Sequence, residues 1–139
     1  MNTDDASKKA EVAALKAKLP AVAKKAIALK ETIEGYYELG RFYYNNYFDI
    51  QAEKSKVKGT KPEDLKKKKD LETSALANNA DAIVNLEKIE GLFAQIKEPK
   101  SSEKRLLKEG YKMLKTCYER KKDEAKTDYY DKKYHSAAD

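Results

Sequence analysis

Residues 12–50 read VAALKAKLPAVAKKAIALKETIEGYYELGRFYYNNYFDI, and the spacing of their apolar and aromatic side chains decides the fold class. Val12, Leu15, Leu19, Val22, Ala26, Leu29, Ile33, Tyr36, Gly40, Tyr43, Tyr47 and Ile50 follow one another in alternating steps of three and four. Such a pattern keeps one side of an α-helix apolar along its whole length, whereas a half-buried strand would alternate every second residue. A long helix lying side by side with other helices is expected. Pro20 lacks an amide hydrogen and would clash with the preceding turn of a helix. The long helix is therefore predicted to begin there, with residues 1–19 a flexible or short-helix segment.

Outward from this stretch, two clusters of turn residues punctuate the chain: Lys58, Gly59, Thr60, Lys61 and Pro62, then Glu98, Pro99, Lys100, Ser101 and Ser102. They predict helices of about residues 20–57, 61–97 and 102–135. Thr60 and Glu63 have capping-box spacing, Pro62 suits a first helical position, and Ser101 or Ser102 can cap the third helix. The second segment places Leu65, Leu76, Ile83, Leu86, Ile89, Phe93 and Ile96 on one side, with Asn79 among them. In the third, Leu107, Tyr111, Leu114, Tyr118, Ala125 and Tyr129 form the stripe. Breaks of about five residues force neighbouring helices to run antiparallel. The expected fold is all-α: an elongated up-down-up three-helix antiparallel bundle with coiled-coil-like packing, residues 20–137 forming one domain. A fold centred near Gly59 sets Asn46 opposite roughly residue 71, taking two helices that turn back symmetrically.

Ten of the thirteen aromatic residues are tyrosine. In the expected register Tyr36, Tyr43, Tyr44 and Tyr47 oppose the small Ala75, Ala77, Asn79, Ala80 and Ala82 of the second helix, with Tyr118, Tyr129 and Tyr130 of the third at the same level. Rings of this kind can fill a bundle. Yet the adjacent pairs Tyr36–Tyr37, Tyr43–Tyr44 and Tyr129–Tyr130 cannot all point inward, because neighbours on a helix diverge by about 100°. Some are expected on the surface. Charge is the second feature. The net charge is +6. In the same register Lys54, Lys56, Lys58, Lys61, Lys66, Lys67, Lys68, Lys69, Lys132 and Lys133 gather at one end against Glu53, Glu63, Asp64, Asp70 and Asp131, a local excess of ten over five. A focused positive end steers an acidic partner or an anionic bilayer.

Catalytic chemistry finds little support. One His and one Cys cannot build a zinc site, and Cys117 and His135 stand 18 residues apart on one expected helix, ~27 Å by the helical rise. Cys117 is expected to be a packed, inert thiol. The five glycines are isolated, so no phosphate-binding loop is present, and G-x-S-x-G does not occur. Three Arg against 27 Lys, interleaved with 24 acids, disfavour nucleic acid.

The expected function is a non-enzymatic helical interaction module, an adaptor, scaffold or targeting/import-recognition domain with no catalytic residue, cofactor or metal. It would bind an acidic protein surface through Lys66, Lys67, Lys68, Lys69, Tyr43, Tyr44, Tyr129 and Tyr130. Two alternatives are a carrier of a small apolar or aromatic ligand in a pocket of Tyr36, Tyr43, Asn79 and Tyr118, and a peripheral binder of anionic membranes. A lone cysteine, a polar beginning without an apolar signal region and the lack of a ~20-residue apolar run suggest the cytoplasm or another reducing compartment.

Overall fold

Over the residues it describes, 20–25, 27 and 31–137, the computed structural model is helical, with no strand; the expectation for residues 1–19 lies outside them. Residues 20–25 are helical, and four helices follow: α1 (Ile33–Lys56), α2 (Pro62–Ala94), α3 (Ser101–Arg120) and α4 (Glu124–Ser136).

The first segment is not one helix over 20–57. Glu31 and Thr32 leave the helical conformation, and the Thr32 hydroxyl accepts a hydrogen bond from the Gly35 amide at 3.0 Å. An N-cap of this kind stabilises a helix start by about 1 kcal/mol. The three-four spacing runs straight across this start, so periodicity alone cannot reveal it.

Pro62 opens α2, as its missing amide hydrogen favours, but the Thr60–Glu63 capping box does not form. The N-cap is Lys61, which has no side-chain capping bond. The turn is closed from inside α2 instead. Asp64 lies so close to Gly59 that a β-carbon there would overlap its carboxylate, and Lys68 Nζ donates to the Gly59 carbonyl at 3.2 Å. At α3 the Lys100 amide donates to the Glu103 carboxylate at 2.9 Å, so Ser101 and Ser102 are the first helical residues rather than caps.

The third segment is two helices, not one over 102–135. Lys122 has φ 60°, its amide donates to the Glu119 carbonyl, and the Asp123 amide reaches back to Tyr118. Asp123 then caps the next helix by accepting from the Lys126 amide at 3.1 Å. These bonds satisfy the loose ends of both helices and offset the roughly 1–2 kcal/mol that a left-handed conformation costs a residue with a β-carbon.

α1 and α2 run antiparallel: Gly40 faces Leu86, Asn46 Nδ2 donates to Asn78 Oδ1 at 3.3 Å, and Gln51 Nε2 donates to Glu72 at 3.0 Å. Asn46 therefore meets Asn78, seven positions from the expected residue 71. Two heptad stripes keep the same faces inward when slid by one repeat, so the sequence pattern does not choose between these registers. Close approach at Gly40 does, because a β-carbon there would stand 2.7 Å from Leu86. α4 folds back along α3, joined by a Lys115–Asp131 ion pair at 3.0 Å and by the stacked rings of Tyr118 and Tyr130, 5.5 Å apart. The core collects where these layers overlap, around Ile83, Leu86, Ile89, Leu114, Cys117 and Tyr130.

Candidate interaction surface

The surface begins where α3 stops. Arg120, its last residue, lays its guanidinium over the rings of Tyr44, Tyr47 and Phe48 at 4.4, 4.0 and 4.5 Å. Its Nη1 donates to Asn79 Oδ1 at 3.2 Å and its Nη2 to the Tyr44 carbonyl at 3.4 Å. Asn79 Nδ2 in turn donates to the Cys117 carbonyl at 3.0 Å. Burial among the rings lowers the guanidinium pKa, yet arginine still holds its proton at neutral pH. Burial also pushes the Cys117 thiol up to about 11, so it is not a thiolate there.

These contacts pin the end of α3 at the level of Tyr44, Phe48 and Asn79. Beyond that level, among the described helices, α1 and α2 continue as a pair. Residues 62–75 of α2 alone span roughly 20 Å at 1.5 Å per residue. Glu72 stitches the pair together, receiving Lys54 Nζ at 2.8 Å and Gln51 at 3.0 Å. The Lys54 hydrogen bond, then the Gln51 one, hold its carboxyl below the ordinary range.

Residues 53–70 contain eight lysines against Glu53, Glu63, Asp64 and Asp70, eight minus four giving +4. Lys66, Lys67 and Lys69 face solvent, whereas Lys68 is drawn to the Gly59 carbonyl. Large apolar side chains are exposed in the same part of the molecule: Leu65 at 53%, Phe48 at 51% and Leu76 at 44%. Both Leu65 and Leu76 belong to the apolar stripe expected for the second segment, yet Leu76 is exposed beside the fully buried Ala75, and Leu65 lies beyond the end of α3.

The residues expected to form one contact surface are divided. Lys66, Lys67, Lys68 and Lys69 sit on the two-helix end, with Tyr44 near its base against Arg120 and Tyr43 half-buried. Tyr129 and Tyr130 are elsewhere, because the turn at Lys122 carries α4 back along α3. Tyr130 is buried against Tyr118 and Tyr111, while Tyr129 is 43% exposed, with the ammonium groups of Lys126 and Lys133 at 5.6 and 5.5 Å from its ring centre. Lys133 lines a cleft with Phe93 and Pro99. The expected convergence of Lys132 and Lys133 on the lysine-rich end is thus corrected, since it required an unbroken third helix.

Of the expected pocket, Tyr36, Asn79 and Tyr118 are core residues whose polar atoms bond within the protein. Tyr36 donates to Glu31 at 2.8 Å, Asn79 is held as described, and Tyr118 and Tyr130 both donate to Glu87 Oε1. The Glu31 hydrogen bond raises the Tyr36 pKa, and burial raises those of Tyr118 and Tyr130. The clefts beside Phe93 and Pro99, Val57 and Lys58, Lys122 and Asp123, and Thr32 and Ile33 are lined by other residues.

Arg120 and the exposed trio Phe48, Leu65 and Leu76 went unrecognised in sequence. A signal existed: Arg120, Lys121 and Lys122 are followed directly by Asp123 and Glu124. Basic residues suit the end of one helix and acidic residues the start of the next.

Among the described residues no group of three or more His, Cys, Asp or Glu side chains converges to hold a metal ion, and no helix is long and apolar enough to cross a membrane. No protein-family model, curated protein or solved structure matches the chain.

Proposed function

We propose that the protein is a non-enzymatic helical interaction module, of adaptor, scaffold or targeting type, that binds an acidic protein surface through its two-helix basic end. One observation carries this reading: α1 and α2 continue past Arg120 with a +4 excess over residues 53–70 and with Leu65, Phe48 and Leu76 exposed. Lysines speed encounter with an acidic surface, and exposed apolar side chains hold a partner once water is expelled. The antiparallel passes of α1, α2 and α3 support an elongated, up-down-up arrangement that offers this end free of the core.

The test is association kinetics with the partner recovered from the native source. Reversing Lys66, Lys67, Lys68 and Lys69 to Glu changes the net charge from +6 to −2. The association rate at low salt should fall about tenfold or more, and the gap from wild type should close as salt shortens the screening length. Phe48→Ala with Leu65→Ala should speed dissociation instead. Wild-type kinetics in both variant sets, with folding verified, would place the contact elsewhere. Sedimentation with phosphatidylserine vesicles, lost in the charge-reversed variant, would move the reading to anionic membranes.

A further inference from the structure

We infer that the cleft at the opposite end of the molecule, between the α2–α3 turn and the last turn of α4, binds a small carboxylate with an apolar body. The cleft measures about 430 Å³, within the roughly 300–1,000 Å³ usual for small-molecule sites. Phe93, Pro99, Leu107, Tyr111 and Ala137 form its apolar wall, and Lys104 and Lys133 stand in it as cations. Among the described residues no carboxylate lines it. Three other clefts contrast with it, because Glu53 and Asp64, Glu119 and Asp128, or Glu31 and Glu34 stand in them.

The polar atoms available there select the ligand class. Tyr111 contributes its ring to the wall, and burial first, then the nearby Glu90 carboxylate, raises its pKa. Lys104 makes no ion pair among the described residues, and Lys133 has only the face of Tyr129, at 5.5 Å. A lysine lays its methylene stem along an apolar wall and keeps its ammonium at the water edge. Two lysines lining an apolar cleft, with Lys133 turned from its place over Tyr129, fit a ligand with one anionic end and an apolar remainder, such as a medium-chain fatty acid or an aryl carboxylate. The negative end of the α4 dipole lies nearby, but its partial charge, about half a unit, is smaller than that of the two lysines. The cleft forms only because α4 turns back at Lys122 and ends beside Phe93 and Pro99.

Calorimetric titration of the full chain with decanoate, below its micellar range, tests the assignment, with decanol as the uncharged control. Decanoate should saturate a single site. Lys104→Gln with Lys133→Gln should weaken it about tenfold, the sum of two partly exposed ion pairs, and decanol should bind about as weakly to wild type. Ala137→Leu, which fills the cleft from a half-buried position outside the close-packed core, should weaken both ligands. Lys66→Gln with Lys67→Gln, at the far end, should change neither. Absence of saturable binding, equal affinity for decanoate and decanol, or equal losses from the two lysine pairs would overturn the inference. So would undiminished binding in Ala137→Leu.

Discussion

Leu86 and Leu65 lie on the same helix, yet Leu86 is 1% exposed and Leu65 is 53% exposed. At Leu86, α2 meets α1 at Gly40 in a part of the molecule that α3 and α4 also cover; at Leu65, only α1 runs beside it among the described helices. Tyrosine and lysine divide in the same way. Tyr130 is buried and bonded to Glu87, whereas Tyr129, one residue earlier, stands in solvent between two lysines. Residue type therefore does not set what a side chain does here. The face it occupies on its helix, together with the helices present at its level, does.

The strongest break of this comparison is leucine truncation at the two levels. Leu86→Ala should cost about 3–4 kcal/mol, since a cavity would remain between α1 and α2. Leu65→Ala or Leu76→Ala should cost less than about 1 kcal/mol, because surface truncations are small. Urea unfolding measures all three, and similar losses would mean that something covers the two-helix end in solution.

Arg120 marks the boundary between the two regions. Replacing it by Ala removes the cation from three rings and leaves Asn79 Oδ1, in a residue 1% exposed, without its donor. A loss of about 2–3 kcal/mol is expected in equilibrium unfolding. Arg120→Lys should recover only part of it, since one ammonium cannot reach Asn79, the Tyr44 carbonyl and the ring stack together.

The closed region also predicts a pH dependence that the open end does not share. Tyr111, Tyr118 and Tyr130 have raised pKa values in the fold, chiefly through burial. An unfolded tyrosine ionises near pH 10, and above that pH the unfolded chain releases protons that the folded chain retains. Stability should decline from about pH 9, where the unfolded Cys117 thiol ionises first, and more steeply above about pH 10 as the tyrosines join it, by at most ~1.4 kcal/mol per pH unit for each group. Tyr118→Phe with Tyr130→Phe should flatten that decline in denaturant titrations between neutral and strongly alkaline pH.

The smallest effect sharpens the geometry. Lys122 stands at φ 60°, where glycine has no steric penalty. Lys122→Gly should stabilise the protein by about 0.5–1 kcal/mol, the left-handed cost relieved minus the extra entropy of glycine in the unfolded chain. Thermal unfolding reads the change, and a loss of stability would show that the Lys122 side chain contributes more than its backbone costs.

Much of this was legible beforehand. The helical class, the breaks at Gly59 and Pro99 and the Gly40–Ile33–Tyr36 seam follow from spacing and turn chemistry, and Cys117 is buried, as a lone thiol without a base in reach was expected to be. The helix start at Thr32 and the reversal at Lys122 were not read, because each preserves the local three-four pattern or hides within a polar stretch. The candidate surface was legible in half: its lysines are contiguous in sequence, but the exposure of Leu65, Leu76 and Phe48 follows from the tertiary packing.

By itself, the sequence determined the helical class and much of the inward face of α2 and α3, because the period of the backbone maps spacing onto faces; it misplaced α4, where Ala125 and Tyr129 of the expected stripe are exposed and Tyr130 is buried. What tertiary structure alone decided was how many neighbours each face meets. A heptad stripe is unchanged by a slide of one repeat, so register rested on the glycine gap at Gly40 against Leu86. A single lysine in the left-handed conformation then folded α4 back, buried Tyr130 and left Lys66 and Leu65 at an end that α3 does not reach.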